Sequence, residues 1–271
     1  MKKLLLILLC LPMIGFGQNT YVPDDNFENY LEANGMGDGI ALNDYVLTAN
    51  INTVWYLDVD NLNISDLTGI EDFSALNYLN CDGNQLTSLD VSQNTALNSL
   101  ILWTNFLTSL DVSNNTALTH LDCGINQLTN LDVSGATDLY FLQCQSNQLT
   151  TLDVSTNTAL QYLYCYSNQL TSLDVSNDTT LKELHCQDNQ LTNLDLRNGN
   201  NTNMPTFTIS FNATNNPNLY CINVDDMSWS TTNWTVANGS INTQHYFSNN
   251  CTSTEIEEYN TNKGILKTTD L

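Results

Sequence analysis

The chain has 271 residues, of which 13% are charged, and its 29 acids against six Lys or Arg give a net charge of −23. Such a surface repels phosphate, which excludes nucleic acid and anionic membrane as partners. The composition, low in charge and rich in Asn and Thr with four prolines, gives no sign of a second, catalytic domain.

Residues 1–17, MKKLLLILLCLPMIGFG, carry two lysines, an apolar stretch and a small-x-small end at Gly15-Phe16-Gly17. They read as a secretory signal peptide cut before Gln18. The stretch is too short, with those flanks, for a membrane span. Cys10 follows Leu9, where a lipidation site wants a small residue. Its removal leaves four cations against the 29 acids, a net charge of −25. The expected product is secreted or displayed on the cell surface, with no transmembrane segment. Residues 18–53 form an N-terminal cap. Within it, YVPDDNFENYLEANG (21–35) has Pro before two Asp, Phe27, Tyr30 and Leu31 at helical spacing, and a stop at Gly35, the pattern of a short amphipathic helix.

From 54 to 224 the chain repeats itself. Regular units of 21 residues fill 76–201 and begin at Leu76, Leu97, Leu118, Leu139, Leu160 and Leu181, with irregular versions at Val54, Met204 (M-x-x-F-x-I-x-x-N) and Leu219. The unit reads L-x-x-L-x-C-x-x-N-x-L-x-x-L-D-V-x-x-N. It contains its motif twice, so one coil is two extended faces joined by two turns. A single coil cannot bury its apolar row, and coils must stack, about 4.8 Å apart if their strands pair in parallel.

Stacking turns repeated places into columns. Cys81, Cys123, Cys144, Cys165 and Cys186 share one with Leu102, and Val59 and Ile209 take the same place in the outer coils. A place that accepts Leu, Val or Ile is an apolar core position, where free Cys acts as a small hydrophobe. The isolated spacing of 21 offers no C-x-x-C pair for a metal. Asn84, Asn105, Asn126, Asn147, Asn168, Asn189 and Asn212 form a second column, whose buried amides must bond turn backbone of their own and adjacent coils. The equivalent column of the other half (Asn94, Asn115, Ala136, Asn157, Asp178, Gly199) drifts, which reads as a wetter turn.

The six-fold repeat resembles the leucine-rich repeat family in its short, 21-residue bacterial form with Cys at the third apolar position, over roughly residues 54–224. Val22-Pro23-Asp24 and Asn26-Phe27 resemble the N-terminal cap of internalin-like proteins. The resemblance implies a leucine-rich repeat solenoid, mostly β with little helix, with one or two parallel strands per coil and a short helical N-terminal cap. At the far end Cys221 and Cys251 lie outside the column and bracket Trp229, Trp234 and Phe247. In an exported chain they are the expected disulfide, pinning a C-terminal cap over 225–251. Residues 252–271 resemble a linker and the first strand of a type IX secretion sorting domain of the Bacteroidetes lineage, which implies anchoring at the surface through a further C-terminal domain.

The two faces differ inside this one chain. On the second face, Ser, Thr or Asn at 88 and its equivalents, Asp at 90, 111, 132, 153, 174 and 195, and Ser at 92 and its equivalents are nearly constant. Like charges about 5 Å apart in water repel by roughly 0.8 kcal/mol, so Ser and backbone donors hold this stripe, calcium being the alternative. On the first face the outward residues differ in every coil, and Tyr78, Trp103, His120, Phe141, Tyr162, Tyr164, Tyr166 and His185 gather there. That face is the expected ligand-binding surface. His120 and His185, three coils or about 14 Å apart, cannot share a metal or a proton, and no nucleophile elbow, phosphate-cradling loop or H-E-x-x-H is present. The reading is therefore no enzyme, no cofactor and no metal, with an extracellular protein or glycan as partner. The function is adhesin-like protein binding, glycan binding, or a structural part of the cell surface.

Overall fold

Alternation of inward Leu with outward polar or aromatic residues, with turns between, leaves each coil able to form only short strands. The protein, described by a computed structural model over residues 18–205 and 210–252, is built from such strands. The signal-peptide and sorting-domain readings lie outside the described residues.

The N-terminal cap pairs β1 (Asn19–Tyr21) antiparallel with β2 (Tyr45–Leu47) and carries helices α1 (Asp25–Ala33) and α2 (Thr48–Ile51). Asp24 caps α1: one carboxylate oxygen accepts the N–H groups of Asn26 and Phe27. Its other oxygen accepts from Ser65 and Asp66, tying the helix to the first coil. Phe27 and Leu31 point inward, and Phe27 stacks on Phe73 at 6.2 Å.

Eight parallel strands then make the first face: β3 (Tyr56–Asp58), β4 (Tyr78–Asn80), β5 (Ser99–Ile101), β6 (His120–Asp122), β7 (Phe141–Gln143), β8 (Tyr162–Tyr164), β10 (Glu183–His185) and β12 (Phe211–Asn212). The register pairs equal places of successive coils, as in Leu79 with Leu100, Leu121 and Leu142 in turn. Among the described residues the second face forms strands toward the C-terminal end, where β9 (Ser172–Asp174), β11 (Asn193–Asp195), β13 (Cys221–Asn223) and β14 (Tyr246–Ser248) pair in parallel. Among the described residues, earlier coils contribute a lone bridge between Asp111 and Asp132.

The core is the set of stacked columns. Val59, Cys81, Leu102, Cys123, Cys144, Cys165 and Cys186 are all fully buried, and the five column cysteines are free thiols. Burial pushes the thiols well up, Cys165 to about 12. Iodoacetamide is accordingly expected to leave these five untouched in the folded protein and to label all of them in guanidinium, read by intact mass.

The Asn column closes the turn after each strand. Asn147 Nδ2 donates to the carbonyls of Cys123, Cys144 and Gln145 at 3.0, 3.1 and 3.3 Å, while its Oδ1 accepts the N–H of Leu128 at 2.9 Å. Asn105, Asn126, Asn168 and Asn189 repeat the arrangement coil by coil. The residue before each sits in the left-handed region, including the β-branched Ile125 at φ 49°, a conformation that costs roughly 1–2 kcal/mol outside glycine. The amide bonds hold that turn in place.

Two expectations about the columns are corrected. The turn of the second half is dry: Asn94, Asn115, Asn157 and Asp178 are fully buried, and Asn115 Nδ2 donates to Val91 O and Asn94 O at 3.0 Å each. The column drifts because two backbone carbonyls are all it must satisfy. The coil after Asn189 is also longer than the sequence pattern implied. Leu184 pairs with Phe211, which puts Ala213 in the cysteine column; Ile209, expected there, lies outside the described residues. Asn216, not Asn212, accepts from Leu191 and donates to Cys186 O and Ala213 O.

A disulfide joins Cys221 to Cys251, with Cα atoms 5.8 Å apart, and pins the C-terminal cap. There α3 (Met227–Asn233) leads into Trp234, whose ring packs between Phe211, Trp229 and Phe247. Among the described residues no helix is long and apolar enough to cross a membrane.

Candidate interaction face

The first sheet presents three outward columns. Their order along the solenoid follows from the register: Tyr56, Tyr78, Ser99, His120, Phe141, Tyr162 and Glu183 in the first, and Asp58, Asn80, Ile101, Asp122, Gln143, Tyr164 and His185 in the second. Parallel stacking brings five of the expected residues into one run of rings. His120 lies flat on Phe141 (centroids 4.2 Å, planes 4° apart), Phe141 meets Tyr162 at 5.9 Å and Tyr164 at 5.8 Å, and Tyr164 meets His185 edge-on at 5.0 Å. Tyr78 belongs to a separate pair, stacked on Tyr56 at 4.5 Å and 7°. Trp103 and Tyr166 occupy the third column, at the rim, and Trp103 is 36% exposed.

The electrostatics of this wall follow from partial burial. The Tyr164 hydroxyl donates to Glu183 at 2.6 Å, and burial with that bond pushes the phenol up. Burial lowers His120, so its ring is neutral at physiological pH. Asp122, 6% exposed, is pushed up to about 6 by burial against the opposing Gly124 N–H bond, with a small push from Asp82.

Sequence reading missed Trp55 and Tyr56, which are 64% and 47% exposed, and Tyr140, which meets His120 and Phe141 edge-on. Extending the column of Tyr78 back into the irregular unit at Val54 would have found Tyr56. Tyr140 carries no such signal, because it precedes its strand.

The second face is chemically different. Asp90, Asp111, Asp132, Asp153 and Asp174 each accept the N–H of the Ser two residues on, at 2.9 Å, and these bonds lower the carboxyls of the first four. Asp195 pairs with Arg197. A shallow groove runs past Asp132, Asp153 and Asp174. At the N-terminal cap Asp25, Glu28 and Asp44 group together, where fully buried Glu28 accepts the N–H groups of Asn43 and Asp44 and so fastens the loop after α1.

No family model matches the chain. Internalin J of Listeria monocytogenes serotype 4b (strain F2365) is 41% identical over 77 residues, 28% of this chain and 8% of that protein. The functional domain of InlJ from Listeria monocytogenes, which includes a cysteine ladder, superposes with a TM-score of 0.57 at 32% identity, over 77% of this chain and 52% of that one. The chain is a leucine-rich repeat solenoid similar to the internalins. Internalin C2 of Listeria monocytogenes str. 4b F2365 shares the fold at a TM-score of 0.58 and 22% identity, over 78% of this chain and 93% of that one. The chain spans about half the length of the InlJ domain and under a tenth of Internalin J. Its own five stacked cysteines are interrupted by Leu102.

Proposed function

We propose that the chain is a secreted or surface-displayed, non-enzymatic binding module that engages a partner protein through the outward face of the first sheet. The carrying observation is the run of rings from His120 to His185, on a wall whose residues differ in every coil while the opposite wall stays constant. Rigid aromatic side chains already held by their neighbours lose little entropy on binding, and such residues dominate protein interfaces. The pattern of residues 1–17 and a disulfide between Cys221 and Cys251 support export. Anchoring through a further C-terminal domain belongs to the same reading.

The test is capture by the immobilised chain, with bound proteins identified by mass spectrometry and affinities then measured. Tyr162→Ser, Tyr164→Ser and Tyr166→Ser together are expected to weaken binding at least about 100-fold, while circular dichroism stays unchanged because all three point outward. Unchanged capture would refute the site. Binding on a glycan array with no protein captured would replace the protein partner with a polysaccharide.

A further inference from the structure

The first-sheet wall is acidic as well as aromatic. Asp58, Asp60, Asp82, Asp122 and Glu183 stand on it, and among the described residues its three outward columns contain no Lys or Arg. The described cations are Lys182, exposed at the rim just before β10, and Arg197, which serves Asp195 on the other face.

A second observation marks one place on the wall. Gln145 occupies an outward column yet is 1% exposed, because its amide folds over Gly124 of the preceding coil. A Cβ on Gly124 would come within 2.7 Å of Gln145 Nε2, so a larger residue there would push the Gln145 amide out of this place. The Oε1 of Gln145 is buried there without a hydrogen-bond partner. Beneath, Gly124 N–H is spent on Asp122 Oδ1 at 3.2 Å. The notch thus sets a nearly buried carboxylate, held by one backbone N–H, near an amide whose carbonyl has no partner, acceptors that a donor-rich cation can satisfy. Trp103 fills the same column in the coil before, offering a half-exposed ring for a cation.

A second corner of the same kind lies three coils away. Tyr56 stacks on Tyr78 there, with the Tyr56 hydroxyl directed at Asp58 (3.4 Å) and Asp60 beside it. Three coil spacings are about 14 Å, the rise of four residues of extended chain, and residues four apart in a strand point to the same side.

We propose that this wall binds an extended basic segment of a partner protein. One Arg or Lys enters the notch between Asp122 and Gln145, and a second, four residues away, lies over Tyr56 beside Asp58. The inference rests on the reading of the first-sheet face as the binding wall and adds the chemistry of what it binds.

The probe is a fluorescein-labelled 13-residue Gly/Ser peptide with two Arg four positions apart, compared by anisotropy, at about 0.15 M salt to screen diffuse attraction, with an isomer whose two Arg are adjacent. The spaced peptide is expected to bind about 10-fold more tightly than the isomer. Asp122→Asn, Asp58→Asn and Gln145→Leu should each remove about that advantage, and Asp132→Asn, on the second face, should change affinity less than about 2-fold. Equal binding of the two peptides, an equal loss with Asp132→Asn, or no binding would overturn the proposal. If the peptides fail but captured protein still depends on Tyr162, Tyr164 and Tyr166, the wall stands and the basic chemistry is wrong. If capture also ignores those tyrosines, the wall itself is wrong.

Discussion

Asn147→Ala is expected to lower the unfolding free energy by about 3–5 kcal/mol, measured by urea denaturation. Its buried amide makes four bonds, three to carbonyls of two coils and one to the N–H of Leu128. A typical hydrogen bond contributes about 1 kcal/mol, but stranding a buried partner costs the full desolvation of that group, about 1–3 kcal/mol. Alanine strands the Leu128 N–H and leaves the carbonyls short at once. Asn94→Ala provides the scale: Asn94 Nδ2 serves two carbonyls while its Oδ1 has no partner, so its loss should cost roughly half as much. Equal costs at both positions would show that side-chain volume, not the bonded amide, decides stability.

Asp178→Asn should do the opposite and stabilise the protein, the more so the higher the pH. Asp178 stands where Asn157 stands one coil earlier, fully buried, with neither carboxylate oxygen bonded. Asn157 donates to the carbonyls 24 and 21 residues before it, Val133 and Ala136; the corresponding carbonyls for 178 belong to Val154 and Asn157. An ionised carboxylate cannot donate to them, whereas a protonated one can. Burial, with a smaller push from Asp174, raises the Asp178 carboxyl to about 7. With a folded value above the unfolded one, its contribution is fully present below about pH 4 and is lost as pH rises through 7. The difference from the ordinary 3.8 corresponds to roughly 4 kcal/mol. The melting-temperature gap between Asp178→Asn and the parent should therefore open between pH 5 and pH 8. A gap that does not change with pH would mean the carboxyl is ionised throughout. Asp90, Asp111, Asp132 and Asp153, held below the usual range by Ser bonds, act only at lower pH and are common to both proteins.

The role of the cysteines was legible because Leu102 interrupts their column: a metal site or disulfide ladder does not tolerate leucine. The α1 helix was legible through Pro before two Asp, the helical spacing of Phe27, Tyr30 and Leu31, and the stop at Gly35; its capping by Asp24 came from the structure. The Cys221–Cys251 bond was legible because both lie off the column. Where the reading failed, the failure came from contacts between coils. The long coil that ends at Asn216 contains a decoy in Asn212, and only pairing of Leu184 with Phe211 separates the two. Gln145 sits at an outward place by alternation, yet it is buried because a glycine one coil earlier makes room for it.

The amino-acid order alone determined the repeat, its period, the inward columns and the difference between the two walls, because all four follow from which side chains tolerate water along one coil. Tertiary structure decided the stacked run from His120 to His185, the dry second turn with its misplaced carboxylate at Asp178, and the notch over Gly124. Each of these depends on what the neighbouring coil places about 5 Å away, and that proximity is created by stacking and written in no single repeat.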